Sequence, residues 1–207
     1  MKILTELVDI FDKEKFAEEV EKITGKAAKA DTIASRTAKY ITENMDADPV
    51  FYKKFSELLK ETIFAYEQGR INEIEYLKQV TQHMESILSH TDSSIPTEII
   101  NNNTARAYYG LALETYKTLA IPEMVSPEKL ALDTAISIDF IIRDHVIDGD
   151  NPIVDWTAKS TLIGQMKIDM EDYLIDEVKR KYNIPISFDD MDAIIDRSVE
   201  VAKLWFK

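Results

Sequence analysis

The sequence contains no cysteine, and this absence excludes three classes of site. A disulfide framework, a zinc site built from thiolates and a cysteine nucleophile all require that residue. Glycine and proline are also scarce, at 5 and 6 of the 207 residues, which favours long regular elements over a turn-rich β fold. A chain without cysteine fits a reducing compartment, and we expect a cytoplasmic protein.

Long apolar runs and a positive charge balance are missing as well. No apolar run approaches the roughly 20 residues that span a bilayer, and acids interrupt the first 16 residues where a signal peptide would be apolar. The formal net charge is −13, so the surface as a whole repels a phosphate backbone. We therefore expect no membrane partner, and direct DNA contact only through a local basic face.

The sequence does contain helical periodicity along most of its length. Apolar residues recur at spacings of three and four, and no segment alternates with period two for long enough to predict a strand. The pattern predicts an all-α domain of about seven to nine helices over residues 1–207, one of them a long helix that begins at Asp155 or Thr157. The loop HTDSSIP, residues 90–96, predicts a hinge between possible lobes at 1–90 and 97–207.

One helix is delimited with particular clarity in the segment 45–77. Asp48 is a typical N-cap, and Pro49 follows at the first helical position, where its missing N–H has no cost. Phe51 and Phe55 begin an apolar face, and Gly69 is the glycine expected just after a helix end. The spacing predicts a helix from about residue 49 to residue 68.

Two capping boxes predict the starts of further helices. Asn72 is followed three residues later by Glu75, and Ser187 is followed three residues later by Asp190. In such a pair the first side chain accepts from a backbone N–H of the first turn and the second side chain reaches back. We expect helices to begin after Asn72 and after Ser187.

No catalytic motif emerges from the sequence. Gly25-Lys26 lacks the preceding glycine of a phosphate-binding loop, and Glu177-Val178-Lys179 has the spelling of a nuclease motif but lies in a helical segment. We therefore expect no catalytic, cofactor-binding or metal-binding residue in this chain.

Two alternatives stay open on the residues alone. Four acids at helical spacing could hold magnesium in an all-α metal-dependent phosphohydrolase, although capping and the helix dipole also account for acids at a helix start. They are Asp189, Asp190, Asp192 and Asp196. The Lys and Arg residues of 13–39 could instead form a basic face of a DNA-contacting helical module.

The segment 29–80 contains a series of short motifs, which are Ala30-Asp31, Ile33-Ala34, Arg36, Asp48-Pro49, Phe51-Tyr52-Lys53-Lys54-Phe55-Ser56, Gly69-Arg70-Ile71 and Glu75-Tyr76-Leu77. In these residues the segment resembles the C-terminal domain of the R subunits of type I restriction enzymes. Segments 154–174 and 186–206 also resemble the family, whereas about 91–150 is less distinctive.

The resemblance implies a part of a larger machine. In that family the R subunit carries a nuclease domain and two helicase-like ATPase domains, and it joins a core of modification and specificity subunits that methylates DNA. The C-terminal region is associated with attaching the motor to that core. None of the nuclease or ATPase motifs occurs in this sequence. We thus expect a C-terminal fragment without enzymatic activity, and ATP and magnesium belong to the parent protein.

The resemblance also divides the motif residues by role. Structural roles are sufficient to explain six of the motif residues, which are Asp48, Pro49, Phe51, Phe55, Glu75 and Tyr76. Caps and apolar stripes explain Arg36, Tyr52 and Arg70 less well, so we predict that these three form the interface with the methyltransferase core.

Overall fold

The chain is helical throughout most of its described length. In a computed structural model, residues 10, 13–90, 92 and 94–207 are described, and they form eight α-helices and one hairpin of two-residue strands. This confirms the predicted all-α class and the predicted number of helices. No helix of the described part is both long and apolar enough to cross a membrane.

The chain divides into two compact units. Unit 1 comprises the described residues of Met1–Met45 and Tyr52–Ser93, and unit 2 comprises Asp46–Phe51 and Ser94–Lys207. The division near residue 93 falls inside the segment 90–96, where the sequence predicted a hinge. The assignment of residues 46–51 to unit 2 departs from the predicted lobes, because contacts within unit 2 hold this segment.

Unit 1 is built mainly from four helices. They are α1 (Lys13–Glu21), α2 (Lys26–Asn44), α3 (Pro49–Glu67), whose first residues belong to unit 2, and α4 (Glu73–Leu88). Helices α2 and α4 pack closely along one another. The buried apolar side chains of this unit lie at helical spacing, as expected for amphipathic helices. They include Phe16, Ile33, Ile41, Tyr52, Phe55, Leu59, Tyr76, Val80 and Ile87.

Unit 2 holds the larger core around four further helices. They are α5 (Asn103–Tyr116), α6 (Pro127–Val146), α7 (Ser160–Tyr173) and α8 (Phe188–Trp205). The strands β1 (Ile147–Asp148) and β2 (Asn151–Pro152) form the antiparallel hairpin, and short 3₁₀ turns occupy Thr97–Ile99 and Trp156–Ala158. Helix α5 packs on both α6 and α8, and its side chains are buried on nearly every face.

The start of α7 differs from the sequence prediction. Asp155 has a left-handed backbone (φ 52°), and the indole of Trp156 is buried, donating from Nε1 to the carbonyl of Phe206 at 2.5 Å. This anchoring places a 3₁₀ turn where the helix was predicted, and α7 begins at Ser160. After Tyr173 the chain continues as a π-helix over Leu174–Arg180.

Candidate docking surface

The corner between α3 and α4 is formed by a left-handed glycine. Gly69 has φ 66°, a conformation that side chains disfavour. Its N–H donates to Tyr66 O at 2.9 Å, and the N–H of Arg70 donates to Ala65 O at 2.9 Å. This pair of bonds is the Schellman motif, which satisfies the last carbonyls of a helix and turns the chain away. The predicted helix end at Gly69 is confirmed.

Helix α4 begins immediately after this corner. The Asn72 side chain accepts from the N–H groups of Ile74 (3.0 Å) and Glu75 (2.9 Å), so the predicted N-cap is confirmed. The Glu75 carboxylate accepts from Gln79 Nε2 at 2.9 Å instead of completing the predicted capping box. Because a Schellman motif and an N-cap bracket only a few residues, the backbone between them is fixed.

Arg70 lies at the surface of this corner. Its guanidinium carbon is 5.4 Å from the centroid of the Phe64 ring, and Phe64 is 50% exposed. Such a cation–π contact orients both side chains while leaving them open to a partner. We call Phe64 and Arg70 together the α3–α4 corner surface. Arg70 is the one predicted interface residue that the structure places fully at the surface.

Tyr52 is not a surface residue, which corrects its prediction as a contact. Only 2% of it is exposed, and its ring meets the edge of Tyr40 (6.1 Å between centroids) and of His90 (5.8 Å). Tyr52 shares the α3 face that includes Phe55 and Leu59, at helical spacing. Its role in this structure is to fill the core of unit 1.

Arg36 is also largely enclosed. Its side chain is 12% exposed, and its NH2 lies 3.0 Å from Glu19 Oε1, which is a contact between α2 and α1. Paired with a carboxylate in this way, Arg36 joins two helices of unit 1. The three predicted interface residues are therefore not brought together on one surface.

Four of the motif residues have in the structure the structural roles that the sequence predicted for them. Asp48 is 4% exposed and accepts from the Phe51 N–H at 3.3 Å, and Pro49 is the first residue of α3. Phe51 and Phe55 are buried, at 6% and 5% exposed. A cap, a proline at the helix start and a buried apolar face are the features that the sequence predicted here.

Tyr76 anchors the start of α4 inside unit 1. Its ring stacks on Tyr66 with 4.3 Å between centroids, and its hydroxyl donates to Asp31 Oδ1 at 3.1 Å. Burial, followed by the hydrogen bond to Asp31, raises the pKa of the Tyr76 hydroxyl. The hydroxyl stays protonated and serves as a donor to the carboxylate of α2.

Two of the four acids that the sequence offered as magnesium ligands have identifiable structural partners. Ser187 and Asp190 form the predicted capping box, and this hydrogen bonding lowers the pKa of the Asp190 carboxyl. Asp196 Oδ1 lies 2.6 Å from Lys167 Nζ on α7. Across the described residues, no three His, Cys, Asp or Glu side chains are grouped so that they could hold a metal ion.

Phe64 was missed by the sequence interpretation. It lies off the apolar stripe of α3, which runs through Phe55, Leu59, Thr62 and Tyr66. The signal that could have identified Phe64 as a surface residue is its position. It is an aromatic residue on the polar face of an amphipathic helix, six positions before an arginine.

Comparison with known proteins adds no assignment. No protein-family model, curated protein or solved structure matches this chain.

Proposed function

We propose that this chain is the C-terminal helical assembly domain of a type I restriction R subunit. In this role it docks a cytoplasmic DNA-translocating motor onto its core of modification and specificity subunits, in defence against foreign DNA. The nuclease and ATPase of the parent protein lie in other domains, so the chain itself contributes contacts and no catalysis.

The observation that carries the proposal is the α3–α4 corner surface. It lies in the segment that resembles the family, and it joins an exposed arginine to a half-exposed phenylalanine at 5.4 Å. Arginine and large aromatic residues are enriched among those that dominate binding energy at protein interfaces. The Schellman motif and the Asn72 cap hold this pair on a fixed backbone, which lowers the entropy cost of binding.

The experiment is to mix the pure chain with the cognate methyltransferase core and to measure the mass of the product by size exclusion with light scattering. A complex whose mass equals the core plus whole copies of the chain supports docking. Two separate peaks at micromolar concentration contradict the proposal.

A parallel assay tests the absence of catalysis. The chain with magnesium and ATP is expected to release no phosphate and to leave plasmid DNA intact. Phosphate release or cleavage that disappears on substituting Asp189 or Asp192 with asparagine would favour the phosphohydrolase alternative.

A further inference from the structure

A polar cleft of unit 2 lies where the start of α5 meets the end of α8. Its volume is about 470 Å³, and its walls are the asparagines 101–103, Thr104, Arg143, Trp205 and Phe206. Arg143 is the one charged side chain among these described walls, and no carboxylate lines the cleft. The walls of the cleft thus present one cationic side chain, which the buried carboxylate of Asp139 also contacts.

Arg143 is held in position from several sides. Its Nε donates to Asp139 Oδ2 at 2.8 Å, its NH2 donates to Thr104 Oγ1 at 3.2 Å, and its guanidinium carbon lies 4.9 Å from the centroid of Phe206. Asp139 is 6% exposed and also accepts from Asn102 Nδ2 at 2.7 Å. The arginine is oriented before any ligand arrives, as a recognition site requires.

Part of the guanidinium remains available for a ligand. The Arg143 side chain is 43% exposed, and its NH1 has no hydrogen-bond partner within the described part of the chain. A planar guanidinium with open N–H groups matches the oxygens of a carboxylate or a phosphate. This open edge of the guanidinium is therefore suited to an anionic group.

Exposed apolar side chains continue from Arg143 along α6. Ile136 and Phe140 are 44% and 70% exposed, and they precede Arg143 by seven and three residues. Residues at these spacings share one face of a helix. Trp205 lies at the cleft with 40% of its surface exposed, and its Nε1 donates to Ala47 O at 3.2 Å, within unit 2. We call Ile136, Phe140, Arg143 and Trp205 the α6 surface.

We infer that the α6 surface binds a protein segment that carries a carboxylate beside a large apolar side chain. The carboxylate pairs with Arg143, and the apolar side chain packs on Phe140 and Ile136. A nucleic acid fits less well, because the acidic surroundings repel a polyanion. Arginine and aromatic residues are enriched at protein interfaces.

The test uses a library of random 12-residue peptides selected on the full chain. We expect the enriched peptides to share an Asp or Glu within four positions of a Leu, Ile, Met or Phe. Replacing that acid by its amide should weaken binding at least about tenfold, which corresponds to about 1.4 kcal/mol. The inference would be overturned if the enriched peptides contained no acid, or if no selected peptide bound with a Kd below about 100 μM.

Matched variants locate the binding on the α6 surface. Phe140→Ser and Arg143→Lys should each weaken the selected peptide about tenfold or more. Val154→Ser, at a 78% exposed position of unit 2, and Arg180→Lys, at a side chain 73% exposed, should leave binding unchanged. Equal losses in the controls, or no loss in Phe140→Ser, would overturn the assignment. Thermal melts check that each variant is folded.

Two further binding experiments separate this inference from a nucleic-acid ligand and from the proposed docking through the α3–α4 corner surface. Fluorescent 12-nucleotide single strands and duplexes should not bind to the chain. If they bind and Arg143→Lys abolishes this binding, the ligand is a phosphate group, and the inference of a protein ligand is overturned. The double variant Phe64→Ser, Arg70→Gln should bind the peptide normally, because the inference does not rest on the α3–α4 corner surface.

Discussion

The side chain of Val50 stands where a side chain at position 110 would begin. A Cβ atom built on Gly110 would lie 2.9 Å from the Cβ of Val50, closer than such atoms approach in proteins. Val50 lies next to Pro49 at the start of α3, and Gly110 lies in the middle of α5. The contact explains why residues 46–51 belong to unit 2, and why a glycine stands inside a buried helix despite its low helix propensity.

Substituting Gly110 with alanine should destabilise unit 2. The added methyl group gains helix propensity but forces Val50 or α5 to move, and overpacking of this kind costs about 1–3 kcal/mol. Urea unfolding followed by tryptophan fluorescence measures the change, because Trp156 and Trp205 both lie in unit 2. The double variant Gly110→Ala, Val50→Ala should recover part of the loss. A Gly110→Ala protein as stable as the wild type would contradict the close approach.

The stability of unit 1 should fall as the solution becomes mildly acidic. Burial lowers the pKa of His83, whose Nε2 lies 3.1 Å from Thr62 Oγ1. The unfolded chain takes up a proton near the ordinary value of about 6.5, and the folded chain takes it up only at lower pH. The contribution of His83 is therefore complete above about 6.5 and is lost as the pH falls toward the folded-state pKa.

The variant His83→Gln isolates this effect. Glutamine keeps a polar group near Thr62 but does not titrate, so the free energy of unfolding should depend less on pH between about 7 and 5. Urea titrations followed by the methyl NMR signals of Ala30 and Ala34, both buried in unit 1, report the relevant unit. Identical pH slopes in the two proteins would mean that His83 is not the titrating group.

The capping box of α8 should be a measurable part of the stability of unit 2. Removing the hydroxyl with Ser187→Ala leaves the first-turn N–H of Asp190 without its acceptor and should cost about 1 kcal/mol. Hydrogen bonds from Ser187 lower the pKa of Asp190, so its contribution is present at neutral pH and lost as the pH falls through that lowered value. Ser126→Ala is the matched control, because Ser126 is the N-cap of α6 but does not form a capping box.

The comparison is made by urea unfolding at neutral and at acid pH. Asp190→Asn should destabilise unit 2 at pH 7 and have a smaller effect near pH 3, where the wild-type carboxyl is more often protonated. A cost that does not change with pH would show that the carboxylate charge contributes nothing to the cap.

Local signals in the sequence were sufficient for the helix boundaries at Gly69, Asn72 and Ser187. Each depends on a side chain or a backbone conformation within a few residues, so composition and spacing reveal it. The apolar face that begins with Phe51 and Phe55 likewise predicted burial, and both residues are buried. These are interactions of a residue with its own helix or with the nearest turn.

Features that depend on distant contacts could not be read in the same way. The segment 46–51 joins unit 2 through the fit of Val50 to Gly110, which lies 60 positions away. Asp155 adopts a left-handed backbone where the buried Trp156 is tied to Phe206. The orientation of Arg143 depends on Asp139 and Thr104, and the predicted interface residue Tyr52 proves to be a core residue. Only the packed chain reveals which faces remain exposed.

The most direct test of the proposed docking is the affinity of the cognate methyltransferase core for the double variant Phe64→Ser, Arg70→Gln. Isothermal titration compares it with the wild type and with a matched control, Ile168→Ser, Arg180→Gln, which removes a 49% exposed apolar residue and an exposed arginine from unit 2. The account predicts a loss of about tenfold or more for the α3–α4 corner variant and none for the control. Equal affinity of all three proteins for the core would contradict it.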